Sequence, residues 1–214
     1  MRADTRTNEE LLDAACHGDE NALAVLVERH RDRLERMVRL RMDRRLQGRV
    51  DPADVVHEAC LAVRDKFSQY IAEARLPFFL WLRQEVGQTL LDVHRSHLGP
   101  QMRDAGQEVS LHRGALPQVT SLSLAEHLLG KLTTASHAAM RVELKIRVQE
   151  ALNTMDPQDR EMLILRHFEE LSNSEAAQVL EIKPSAAVNR YVRALKRLKD
   201  VFQGMPGGIE GIWE

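Results

Sequence analysis

The chain has 214 residues, with 30 Lys and Arg against 32 Asp and Glu and a net charge of −2. That length suits one large domain or two small ones. The near-neutral balance excludes a uniformly basic nucleic-acid binder, so any DNA contact must come from local patches. No run of about 18 apolar residues occurs, which excludes a membrane-spanning helix.

The opening MRADTRTNEELL is polar and lacks the apolar core of a secretory signal. Only two cysteines occur, Cys16 and Cys60, and they lie far apart. A reduced cytoplasm is therefore expected rather than a disulfide scaffold. Ala, Leu, Arg, Glu, Gln and Met dominate while aromatics make up 4%, and this composition predicts an all-α fold.

In chain order, residues 8–46 read as helix, with Leu11, Leu12, Ala15, Leu23, Leu26 and Val27 at helical spacing. His17-Gly18-Asp19 interrupts them, and Gly18 suits a helix C-cap. The part from 19 to about 46 carries Arg29, Arg31, Arg33, Arg36, Arg39, Arg41, Arg44 and Arg45. Such a set is either a solvated face or a surface for nucleic acid or an acidic partner. Asp51-Pro52 starts the next helix, with Asp as N-cap and Pro in the first turn. Over 52–70 it places Val55, Val56, Ala59, Val63 and Phe67 on one side and Asp54, His57, Glu58, Arg64 and Asp65 on the other. After Leu76-Pro77, residues 78–95 form a helix with Phe79, Leu82, Val86, Leu90 and Val93 as its stripe. Trp81 with Phe78 and Phe79 is, on pattern, more often core than a stacking platform. His94 and His97 stand near the helix end, where a cation offsets the dipole.

Residues 99–123 are rich in Gly, Pro and Ser and read as linker, with a short helix expected at 123–132. A second domain follows from about 136 to 202, and the glycine-rich 203–214 reads as a tail. The expected layout is thus two small helical domains, 8–98 and 136–202, joined by a long linker over 99–135.

The strongest local signal is a helix-turn-helix. Asp156-Pro157 opens a helix, and Ser172-Asn173-Ser174-Glu175 is a capping box before a short helix over 173–180. Glu181-Ile182-Lys183 makes the turn, and Pro184 starts a helix to about 201. Ala187, Tyr191, Ala194, Leu195 and Leu198 face inward. Lys183, Arg190, Arg193, Lys196, Arg197 and Lys199 are cationic, with no acid between Lys183 and Lys199. Phosphates attract such a helix, while Ser185, Ala186, Asn189 and Arg190 occupy the end that reads bases. Asn pairs with adenine and Arg with guanine, each discriminating by about 1–3 kcal/mol when bidentate. The plainer alternative is a basic amphipathic helix in a bundle.

These residues resemble a known family. Asp156-Pro157-Gln158-Asp159-Arg160-Glu161 through Leu163-Ile164-Leu165-Arg166-His167-Phe168, then Leu171-Ser172, resembles the fourth domain of sigma factors. Gly18-Asp19-Glu20 with Ala22-Leu23 resembles the opening of their second domain. Asp51-Pro52-Ala53-Asp54-Val55-Val56-His57-Glu58-Ala59 and Phe79-Leu80-Trp81-Leu82 with Asp92 resemble two of that domain's helices. The motifs come in family order across both domains. Their wording at Gly48-Arg49-Val50-Asp51-Pro52, Pro77–Leu82 and Arg193–Leu198 is similar to the extracytoplasmic-function (ECF) sigma factors abundant in planctomycetes.

The resemblance implies a cytoplasmic transcription initiation factor that carries core RNA polymerase to the −10 and −35 elements of a stress or signal regulon. It implies polymerase binding by Asp54, His57 and Glu58 on the clamp coiled coil, with residues 70–79 lining a pocket for an unstacked −10 base. Arg83, Gln84, Gln88, Arg95 and His97 would meet the −10 strand. Lys183, Ser185, Asn189, Arg190, Arg193, Lys196 and Arg197 would meet the −35 duplex. Promoter DNA and core polymerase are the expected partners, an anti-sigma protein or a kinase the candidate controllers, and no membrane, cofactor, metal or catalytic residue is expected. His57-Glu58-Ala59-Cys60 lacks the second histidine of a zinc-protease helix. Departures from the family wording are His57 for glutamine, Glu181 for a turn glycine, Lys183 for a serine N-cap, and the small Ala186 and Ala187 at the reading end. Two other readings stay open on the residues alone. One is a dimeric helix-turn-helix regulator; the other is a helical adaptor or an enzyme built on His57.

Overall fold

A computed structural model describes residues 4–73, 76–99, 116–130 and 138–203. The expected tail and most of the expected linker lie outside them. Nine helices run through the described residues: α1 (Asn8–Cys16), α2 (Glu20–Arg41), α3 (Pro52–Glu73), α4 (Phe78–Leu98), α5 (Ser121–Gly130), α6 (Ala138–Asn153), α7 (Pro157–His167), α8 (Asn173–Val179) and α9 (Pro184–Gln203). They fall into two compact units, Met1–Gln118 and Val119–Glu214.

In the first unit, α1 packs on α2, α2 on α3, and α3 and α2 on α4. The reason is the apolar stripe of each helix: Leu11, Leu26, Leu34, Met37, Val56, Leu82, Val86 and Leu90 are almost completely buried. Each such side chain contributes roughly 1.5–3 kcal/mol on leaving water. The α1–α2 corner closes as the glycine predicts. The Gly18 amide donates to Ala15 and the Asp19 amide to Ala14, with Gly18 at φ 96, a Schellman turn.

α2 stops at Arg41 rather than running to 46. Met42 adopts an extended backbone, and Met42 and Leu46 turn into the core. The segment 116–118 belongs to this unit. The buried Arg41 guanidinium donates to the Pro117 carbonyl at 3.1 Å. The Leu116 side chain lies over Gly87, where a Cβ would stand 1.6 Å from Leu116 Cδ2.

In the second unit α5 packs on α6, α7 and α8 on α9, and α6 on α9. Its core includes Val148, Leu152, Met162, Leu165, Leu171, Ala176, Ala187 and Leu198. α5 falls inside the stretch expected to be linker. The reason is packing: Leu124, Ala125 and Leu128 are buried, so this helix is part of the unit it precedes.

Candidate nucleic-acid interface

α7 begins as Asp156-Pro157 predicts, with the Asp156 side chain accepting from the amides of Gln158 and Asp159. α8 begins with the full capping box between Ser172 and Glu175. Its C-terminal turn is again a Schellman turn. The Ile182 amide donates to Ala177 and the Glu181 amide to Gln178. The left-handed position is Glu181, at φ 53. Glutamate therefore adopts the conformation that glycine takes at Gly18. The turn leads into α9, which buries Ala187, Ala194 and Leu198 against the unit's core and leaves its opposite face exposed.

The polar side chains nominated on and just before α9 divide into two groups. Lys183, Ser185, Asn189, Lys196 and Arg197 are exposed, and Arg197 donates to the Thr154 hydroxyl at 2.7 Å. Arg190 and Arg193 converge instead on one carboxylate. Arg190 Nη1 donates to Asp159 Oδ1 at 2.7 Å and to Asp156 Oδ1 at 3.1 Å. Arg193 binds both oxygens of Asp159, at 2.9 and 3.1 Å. The Asp159 side chain is 9% exposed and that of Arg193 61%. Burial opposes ionisation of Asp159, yet the hydrogen bonds from Arg193 and Arg190 outweigh it and hold the carboxyl below its usual range. The two arginines expected to read DNA thus hold α9 on α7. Between the same two helices, the Tyr191 hydroxyl of α9 and His167 Nε2 of α7 are hydrogen-bonded at 3.0 Å.

Asp159 was missed as a functional residue. The signal was present: a run from Lys183 to Lys199 with no acid needs a counter-charge from a neighbouring helix.

In the first unit, Gln88, Arg95 and His97 lie exposed along α4 and Gln84 is half-buried. Asp92, also exposed, accepts from Gln88 at 3.2 Å and from Arg95 at 2.8 Å. Arg83 departs from expectation. It is 2% exposed and engaged inside the fold, because it falls one position past Leu82 on the flank of the buried stripe. It is a core residue here, not a side chain offered to a strand.

His94 also departs from the expected dipole role. It is buried, and its Nε2 accepts from the Asp43 amide at 3.2 Å. Burial pushes its pKa below the usual imidazole range, so the ring serves as a neutral acceptor that caps the turn after α2. At the α3–α4 corner Tyr70 stacks on Trp81 with ring centroids 4.6 Å apart, and Phe67 and Phe78 pack around them. The Tyr70 hydroxyl donates to the Leu76 carbonyl at 3.2 Å. On α3, Asp54, His57 and Glu58 are all exposed, with Asp54 and Glu58 one turn apart on one face. Among the described residues no helix is long and apolar enough to cross a membrane, and no cluster of three or more metal-ligating side chains occurs.

Residues 145–198, from α6 to α9, match the family described as Sigma-70, region 4. Over 186 residues the chain is 29% identical to the ECF RNA polymerase sigma factor SigD of Mycobacterium tuberculosis (strain ATCC 25618 / H37Rv), covering 87% of this chain and 79% of that protein. The SigD of Mycobacterium bovis gives the same figures. A solved structure, CnrH in complex with the cytosolic domain of CnrY, shares 22% identity, covers 93% of this chain and 99% of its own, and superposes with a TM-score of 0.51. That last likeness is one of fold.

The helix-turn-helix and its basic outer helix coincide with the matched region, so residues 145–198 form a domain similar to region 4 of Sigma-70 proteins. Across both units the chain is similar to ECF RNA polymerase sigma factors, a likeness that supports a role in promoter recognition.

Proposed function

We propose a division of labour between the two units. α3 presents Asp54, His57 and Glu58 to the clamp coiled coil of core RNA polymerase. The outer side of α4, with Gln84, Gln88, Arg95 and His97, meets the −10 strand, and the Tyr70–Trp81 corner lines the pocket for an unstacked base. Flipped bases find such pockets only once the duplex has opened, which favours melting. α9 enters the major groove of the −35 element, with Lys183, Ser185, Asn189, Lys196 and Arg197 outward and Arg190 and Arg193 held at its flank. The chain performs no catalysis, acts in the cytoplasm and needs no cofactor. It serves a stress or signal regulon under the control of a protein partner, either an anti-sigma protein or a kinase. That CnrH was solved with a polypeptide partner is in keeping with the former.

The observation that carries this reading is the helix-turn-helix itself: a capped α8, a tight turn, and an α9 whose exposed face is cationic. Pull-down with core polymerase followed by open-complex footprinting tests it. The wild-type chain is expected to co-purify with core enzyme and protect both elements. The Asp54→Lys/Glu58→Lys variant is expected to lose the polymerase while keeping its fold. Free chain should bind promoter duplex weakly, because two units on a linker need the polymerase to fix their spacing. Specific nanomolar binding by the free chain at physiological salt would contradict that arrangement.

A further inference from the structure

The outer face of α9 contains two residues that neither charge nor core packing explains. Val188 is 41% exposed and Val192 57% exposed, two of the few large apolar side chains that the described residues leave in water. They stand four residues apart, so they stack one turn above the other on the same side. Val also loses rotamer freedom in a helix. On this face it bears that cost with only partial burial in return.

Their position relative to the rest of α9 is informative. Ala187, Ala194 and Leu198 are buried against the unit. Arg190 and Arg193 lie on the flank toward α7, tied to Asp159. Helical spacing leaves Ser185, Val188, Asn189 and Val192 on the side turned away from the core, in the first half of the helix. That half is where a recognition helix approaches base edges. Lys183 and Lys196, both exposed, bracket the patch at its two ends, where they suit phosphates on either side of a groove.

We infer that Val188 and Val192 are specificity-determining residues that read thymine C5-methyl groups in the major groove of the upstream promoter element, with Asn189 placed to pair with adenine. The chemistry is direct. The C5-methyl is the one apolar group on a major-groove edge, and it is recognised by apolar side chains. Asn makes two hydrogen bonds to adenine N6 and N7. Val188, Asn189 and Val192 would together select A·T pairs, while the arginines best suited to guanine are turned aside. The inference rests on the reading that α9 enters the major groove.

The test uses holoenzyme assembled from the chain and core polymerase. Promoter DNA randomised in the upstream element is selected on wild-type holoenzyme. A selected promoter is then rebuilt with deoxyuridine replacing thymidine in that element alone, which removes only the methyl groups. Each contacted methyl is expected to contribute about three- to fourfold in affinity. Wild-type holoenzyme should therefore bind the uracil promoter several-fold more weakly. A Val188→Ser/Val192→Ser holoenzyme should bind both DNAs alike, and Asn189→Ala should weaken binding yet keep the uracil penalty. Exposed valines can be changed without loss of fold, which circular dichroism checks. Equal wild-type affinity for the two DNAs overturns the inference, as does a uracil penalty that survives in the double variant. So does a selected element built only of G·C pairs. A holoenzyme that selects no DNA at all overturns both this inference and the groove-binding role of α9, and is distinguished by the absence of any enriched sequence.

Discussion

Each helix assigned to DNA gathers its polar side chains on an aspartate, but the two aspartates sit in different surroundings. Asp92, on α4 itself, is 61% exposed and accepts from Gln88 and Arg95 of the same helix. Asp159, on α7, is 9% exposed and accepts from Arg190 and Arg193 of α9. A pair within one exposed helix shares its charges with water and orders little. A pair between helices, with one partner buried, fixes how the helices meet, and removing a member strands the others. The same chemistry thus trims the charge of α4 but sets the placement of α9.

The largest expected effect breaks this contrast directly. Asp159→Ala removes the acceptor of charge-assisted hydrogen bonds from two arginines and should cost about 2 kcal/mol, read as a lower denaturant midpoint for the transition of the second unit. It should also release the Arg193 guanidinium to phosphate, while Arg190 keeps Asp156, steepening the salt dependence of non-specific DNA binding toward one further contact. The pH dependence has a defined sign. Asp159 has a folded pKa below its ordinary value near 3.8. Its stabilisation is therefore complete above that value and lost as pH falls through the lower folded one. The stability gap between wild type and Asp159→Ala should be constant at neutral pH and narrow only below about pH 4. A gap that closed between pH 5 and 7 would point to another group.

A smaller effect is expected at the second contrast between the units, the two Schellman turns. Gly18 takes the left-handed position in one and Glu181 in the other. A side chain there costs about 1 kcal/mol, so Glu181→Gly should raise the stability of the second unit by about that amount in thermal unfolding. Gly18→Ala should lower that of the first by a similar amount. The smallest effect is at Asp92. Asp92→Asn should change stability by less than about 0.5 kcal/mol, and a loss comparable to that of Asp159→Ala would erase the distinction drawn between the two helices.

Much of this architecture was legible in the sequence because its signals are local. Asp156-Pro157 and the Ser172–Glu175 box determine where α7 and α8 start, and the stripe from Val55 to Phe67 marks the buried side of α3. What escaped was tertiary. Arg83 follows a stripe residue by one position, and periodicity cannot say whether such a flank meets a neighbour or water. His94 reads as a helix-end cation, and only the Asp43 amide brought to its ring makes it a neutral acceptor. Arg190 and Arg193 look free in a run without acids, and their partner lies more than thirty residues upstream. The short helix expected at 123–132 is α5, but its place in the second unit rather than in the linker depends on the burial of Leu124, Ala125 and Leu128, which sequence spacing alone does not give.

The central claim is that these two helical units act together through core polymerase. Run-off transcription with purified chain, core polymerase and a genomic promoter library tests it most directly. The account predicts discrete transcripts that require the chain and vanish with Asp54→Lys/Glu58→Lys. Core polymerase yielding the same transcripts with and without the chain would contradict it.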